Sequence, residues 1–174
     1  MRTPFGLRSS LSAVPWLAAA LVAPAVAQVT VRVSVDSLGA QGNGGSDSPS
    51  ISADGRHVAF WSYATLVAGD TNGEPDIFVR DLQSGTTERV SLDSLGTQGN
   101  DGSYYPSISA DGRYVAFLSG ASNLVSGDTN ALTDIFLRDR QSSTTELVSL
   151  DSLGTQANSF SDAPSISADG RHVV

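Results

Sequence analysis

The stretch PSISADGRHVAF, Pro49 to Phe60, returns as PSISADGRYVAF from Pro106 to Phe117 and begins again as PSISADGRHVV from Pro164 to Val174. The three prolines lie 57 and 58 residues apart, so one insertion separates otherwise registered units. Repeats of this length mark units that bury their apolar faces only by stacking on neighbours. They also let each candidate functional residue be compared with its counterpart one repeat away.

Within a unit, short strand-like pieces alternate with turn residues, and no segment keeps a helical 3.6-residue period. The spacing predicts a first strand over Ser48 to Ser52, whose Ile51 is flanked by serines that suit a crowded strand near a central axis. Asp54-Gly55, Asp111-Gly112 and Asp169-Gly170 then mark tight turns, where glycine takes a positive φ. A second strand, Arg56 to Ser62, carries Val58, Ala59, Phe60 and Trp61 in succession; both of its faces must be covered. Val115 to Leu118 repeat that pattern.

A long connection follows, Tyr63 to Pro75 and Gly120 to Thr133, in which Leu66-Val67 and Leu124-Val125 are expected to tuck against the sheet. The third strand is DIFVRD, Asp76 to Asp81, copied as DIFLRD, Asp134 to Asp139. The fourth is expected over Thr86 to Leu92, with Val90 and Leu92 facing inward and Arg89 and Ser91 wet, as on an outermost strand.

Four antiparallel strands per unit, buried inside and wetter outside, describe a β-propeller blade. The run from proline through Ser-x-Asp-Gly-Arg to Val-Ala-Phe, followed by Asp-Ile-Phe-Val-Arg-Asp and Gly-Thr-Thr-Glu-Arg-Val-Ser, resembles the TolB-like, WD-related β-propeller repeat over Val29 to Val174. The chain departs from the commoner form in having serine and alanine where proline often precedes the Asp-Gly turn, and in its longer middle loop. The fold class expected is all-β. Residues 28–47 would form a lone outer strand and loop, 48–105 and 106–163 two blades, and 164–174 part of a third. Rings need about four to eight blades, so the chain is expected to be a fragment of a longer one or to self-associate through exposed blade edges.

Residues 1–27 stand apart. Arg2 and Arg8 precede an apolar run from Leu11 to Ala23, and Ala25-Val26-Ala27 supplies small residues for cleavage, the pattern of a secretory signal peptide. The run is broken by Pro15 and falls short of the roughly 20 residues a membrane span needs. A periplasmic or secreted protein with no span after cleavage is expected. Beyond residue 27 stand eight arginines, no lysine and eighteen acidic residues, a net charge of −10. Such a surface disfavours nucleic acid and anionic membranes. The absence of cysteine excludes disulfide scaffolds and thiolate metal sites.

Three constellations invite chemistry. Asp70, Asn72 and Asp76, with their copies Asp128, Asn130 and Asp134, place oxygens at spacings that can converge on Ca²⁺, the one cofactor considered. Leu132 replaces Glu74 in the second copy, and the competing role is loop folding through side-chain to backbone hydrogen bonds. Ser52, Asp54 and His57 suggest a hydrolase triad, but His57 becomes Tyr114 in the next repeat and a general base cannot. Arg80-Asp81 and Arg138-Asp139 suggest ion pairs at strand edges, which contribute little when exposed.

The blade-to-blade connections share DSLG and then diverge, which is how repeat scaffolds tailor a binding face; unconstrained drift would look the same. Tyr104, Tyr105 and Phe160 are the contact candidates. The expected function is non-enzymatic, the binding of a protein or a cell-envelope component. Two alternatives stay open. One is the accessory propeller of a secreted hydrolase, since the repeat also resembles that of prolyl-oligopeptidase-like enzymes and a downstream Gly-x-Ser-x-Gly would mark it. The other is a calcium-stabilised structural repeat.

Overall fold

A computed structural model describes residues 29–174. The signal peptide expected over residues 1–27 lies outside the described residues. Eight strands run in order: β1 (Ser46–Ile51), β2 (His57–Ser62), β3 (Asp76–Asp81), β4 (Thr86–Arg89), β5 (Ser103–Ile108), β6 (Tyr114–Ser119), β7 (Asp134–Asp139) and β8 (Thr144–Leu147). They form two four-stranded antiparallel sheets, β1-β2-β3-β4 and β5-β6-β7-β8, each a simple meander. These are two consecutive propeller-type blades, and the described residues do not close into a ring.

Both faces of the second strand are covered, as its apolar run requires. Ala59, Ile77 and Val79 face forward and meet Ile108, Val115, Phe117 and Phe136 of the second blade in one buried cluster. Phe60 and Phe78, opposite one another in register with ring centroids 6.0 Å apart, face backward onto Leu66, Ala64 and Val33. Phe117 and Phe136 repeat the pair at the same separation. Leu66 and Leu124 tuck against their sheets, 3% and 1% exposed. At roughly 25 cal/mol per Å² of apolar surface, each buried phenylalanine stabilises by about 2–3 kcal/mol. Ile51 is 59% exposed and Ile108 only 7%, because Ile108 looks onto the first blade and no described blade stands before Ile51.

Hydroxyls stitch blade to blade. Ser50 Oγ accepts from the backbone N–H of Ile108, and Ser107 Oγ from that of Ile166. These contacts explain the serines around the inner isoleucine. The turns are linked by Ala53 N–H to Ala110 O at 2.9 Å and Ala110 N–H to Ala168 O at 3.0 Å. At the outside, Ser37 Oγ accepts from Thr87 N–H of β4 at 2.9 Å, and Ser94 Oγ does the same for Thr145 of β8. A backbone group on each sheet edge is thereby satisfied, which blunts its tendency to recruit another strand.

Three expectations are corrected. The fourth strand stops at Arg89 and its copy at Leu147 rather than running to Leu92, because the Ser91 hydroxyl takes Ile77 N–H and Leu92 N–H turns back to Val90 O, so that Val90 keeps only its own N–H bond to Ile77 O. Ser91 is fully buried rather than wet, its hydroxyl donating to the Asp76 carboxylate and accepting from Ile77 N–H. Residues 29–36 form no ladder; Val35 makes a single bridge, to Gln41, since the sheet partners that an outer strand needs are missing among the described residues. Residues 164–174 fold back on themselves through the Ile166–Val173 bridge, with Ser165 and Val174 exchanging backbone hydrogen bonds and Ser167 N–H reaching His172 O.

Candidate functional site

The Ser-x-Asp-Gly turn is structural in every copy. Ser52 Oγ donates to Asp54 Oδ1 at 2.6 Å and accepts from the backbone N–H of His57, and Ser109–Asp111 and Ser167–Asp169 do the same with Tyr114 and His172. The Ser52 proton is thus committed to Asp54, and the His57 ring makes no hydrogen bond to it. The turn arginine then clamps the end of the third strand: Arg56 binds the Asp81 carboxylate through two nitrogens at 3.0 and 2.7 Å, and Arg113 binds Asp139 in the same way. These bonds hold Asp81 and Asp139 far below the usual carboxylate range.

The expected pairing of Arg80 with Asp81 and of Arg138 with Asp139 is therefore corrected. Neighbours on a strand point to opposite faces. Arg80 instead donates to Asp36 O and Thr87 Oγ1, and Arg138 to Asp93 O and Thr145 Oγ1, fastening the connection between blades to the outer strand.

The acidic loop turns its oxygens inward. In the first copy, Asp76 is fully buried and accepts from Ser91, Gln98 and Arg89, while Asp70 accepts from Gln98 and lies 3.5 Å from the Arg89 guanidinium. Asn72 donates to Gly99 O and accepts from Glu74 N–H. In the second copy, Asp134 accepts from Ser149 and Asn130, and Asp128 from Gln156. Leu147 stands where Arg89 stood, so among the described residues no arginine pairs with these two carboxylates. Desolvation raises the carboxyls of Asp76 and Asp128, and Asp134 adds to the rise at Asp128. Among the described residues no group of three or more His, Cys, Asp or Glu side chains is placed to hold a metal ion.

The candidates Tyr104 and Tyr105 fall into a larger aromatic group at the junction of the two blades. Trp61, at the end of β2, stands edge-on to Tyr63 at 5.7 Å and to Tyr104 of β5 at 5.6 Å; Tyr104 and Tyr105 lie 6.3 Å apart. Trp61 Nε1 is buried with no hydrogen-bond acceptor. Tyr63 and Tyr105 face outward, 57% and 44% exposed. Tyr104 folds back over Gly102, where a Cβ would come within 2.6 Å of its hydroxyl. A bulge between Tyr104 and Ser107 places Tyr105 at φ 50°, the conformation Ser48 adopts in the first blade. That backbone costs about 1–2 kcal/mol for a residue with a side chain.

None of the four aromatic residues is repeated. Leu118 and Gly120 replace Trp61 and Tyr63, while Asp47 and Ser48, and then Asp162 and Ala163, replace Tyr104 and Tyr105. The signal available in sequence was that departure; Trp61 escaped it because it sits on a strand that reads as core, and Tyr63 because it opens the long connection that follows. Phe160, 75% exposed, belongs to the next junction and has no aromatic neighbour among the described residues.

The fold thus defines two blades of the β-propeller class with one aromatic junction. No protein-family model matches the chain, and no curated protein matches it. Solved structures it is similar to include TolB from Acinetobacter baumannii, 23% identical with a TM-score of 0.48 over 76% of this chain and 26% of that one. An acylaminoacyl peptidase is 18% identical, with a TM-score of 0.45 over 75% of this chain and 17% of the peptidase. A prolyl endopeptidase is 18% identical, with a TM-score of 0.46 over 75% and 18%. The chain spans about a quarter of the length of that TolB and less than a fifth of either peptidase.

Proposed function

We propose that this chain is an exported, non-enzymatic binding module whose contact surface is the aromatic junction of Trp61, Tyr63, Tyr104 and Tyr105. Its partner is a protein or a cell-envelope component. The observation that carries this is the confinement of four touching aromatic side chains to one of the repeated junctions, two of them exposed. Tyrosine and tryptophan supply much of the affinity at interfaces, and a rigid blade holds them at little entropic cost. The commitment of the Ser52 hydroxyl to Asp54 supports a non-catalytic role.

A photo-crosslinking phenylalanine analogue at position 105, in cells that make the protein, tests this. One adduct of defined mass is expected from position 105, lost in the Tyr63→Ala background and not formed from the exposed position 153. No adduct from 105, or equal adducts from both positions, would overturn the assignment.

A further inference from the structure

We propose that the aromatic junction takes a basic peptide segment, with arginine or lysine side chains lying on Tyr63 and Tyr105 between the carboxylates of Glu74 and Asp101. This rests on the binding-module assignment and supplies the chemistry of the partner. Ser103 N–H donates to Pro75 O at 2.8 Å, which ties the loop carrying Glu74 to the strand carrying Tyr104. Asp101 precedes that strand; its carboxylate accepts from Gly102 N–H and lies beside Gly120. Both acids are exposed. Their field reaches the rings: after burial and Tyr63, Glu74 and Asp101 push the Tyr104 phenol above its usual value.

Positive charge is spent elsewhere. Among the described residues, ion pairs join Arg56 to Asp81, Arg89 to Asp70 and Asp76, Arg113 to Asp139 and Arg140 to Glu88, and none reaches Glu74 or Asp101. Two exposed tyrosines, with the exposed carboxylates of Glu74 and Asp101 on the adjoining loop and turn and in a chain of net charge −8, are complementary to a cation that is held by ring quadrupole and Coulomb attraction together. The chain already makes one such contact internally, Arg113 lying 4.7 Å from the Tyr114 ring centroid.

Fluorescence anisotropy with a labelled (Gly-Arg)5 peptide tests the proposal, with (Gly-Ser)5 and (Gly-Glu)5 as comparators. Binding is expected only for (Gly-Arg)5 and should weaken with added salt. Tyr63→Ala with Tyr105→Ser should weaken it roughly 2- to 30-fold, the range of one or two cation–π contacts. Tyr105→Ser copies the residue that the first blade carries in the same backbone conformation. Glu74→Gln with Asp101→Asn should weaken it several-fold, while Glu146→Gln on the outer strand β8 should not. No binding of (Gly-Arg)5, equal binding of (Gly-Ser)5, or (Gly-Arg)5 binding untouched by the tyrosine variants would overturn it. A position-105 adduct in cells without (Gly-Arg)5 binding sinks the basic partner and leaves the module standing; loss of both sinks both.

Discussion

The imidazole of His57, on the first blade, rests against the bare α-carbon of Gly112 in the turn of the second. A Cβ at Gly112 would stand 2.8 Å from the imidazole Cγ and 3.1 Å from His57 Cβ. Tyr114 meets Gly170 in the same way, with Cε2 2.9 Å from where a Cβ would lie. The glycine of the Asp-Gly turn is therefore needed twice over, for its φ of 73° and for the ring of the preceding blade. Gly112→Ala should cost about 2–4 kcal/mol, combining left-handed backbone strain with overpacking. Gly55→Ala shares the conformation but meets nothing within 4 Å and should cost only the backbone part. Urea unfolding of the two variants checks this, and equal losses would refute the contact.

His57 carries a liability that Tyr114 lacks. Its Nδ1 is buried without a partner, and desolvation, with Arg140 next in effect, holds its pKa below the usual histidine value. Above about pH 6.5 the ring is neutral in both folded and unfolded chains and contributes no slope. Below that value the unfolded chain takes up a proton that the folded one resists, so stability falls as pH drops. His57→Tyr, which copies the second blade, should raise the melting temperature more at pH 5 than at pH 8. An equal gain at both values would count against the buried, neutral imidazole.

Besides Glu74, which becomes Leu132, the acidic loops differ in the arginine beside their carboxylates, since Arg89 becomes Leu147. Arg89→Leu should destabilise the first blade by about 2 kcal/mol, the loss of a charge-assisted hydrogen bond to buried Asp76. Leu147→Arg should bring its guanidinium beside Asp128 and Asp134 and stabilise the second blade, its stem packing where Leu147 now packs. Chemical denaturation of both variants checks the pair. A destabilising Leu147→Arg would show that the two loops are not equivalent in space.

Much of this architecture was legible in the repeat. The unbroken run from Val58 to Trp61 demands cover on two faces, and the clusters on either side of β2 supply it. The run Asp76 to Asp81 matches β3 residue for residue. What stayed hidden was long-range. Arg56 finds Asp81 twenty-five residues away, and Ser91 turns inward to a buried carboxylate, because a third strand's needs override local alternation at the end of the fourth. The site was half visible: Tyr104 and Tyr105 stand out as loop aromatics. Trp61 is joined to them only by stacking one blade on the next.

The DSLG serine carries the last expectation. Ser94 Oγ accepts from the Thr145 backbone N–H at 2.9 Å, and Ser37 does so for Thr87. Each serves an outer strand whose far side has no partner strand among the described residues. Ser94→Ala removes that acceptor and should cost about 1 kcal/mol. Native-state hydrogen exchange separates this from a general loosening. The Thr145 amide should exchange about fivefold faster in Ser94→Ala, the factor that about 1 kcal/mol of lost local protection produces. The Thr87 amide, still served by Ser37, should not change. Acceleration of both amides would place the effect in the whole fold, whereas acceleration of Thr145 alone makes the serine an edge cap for the neighbouring blade.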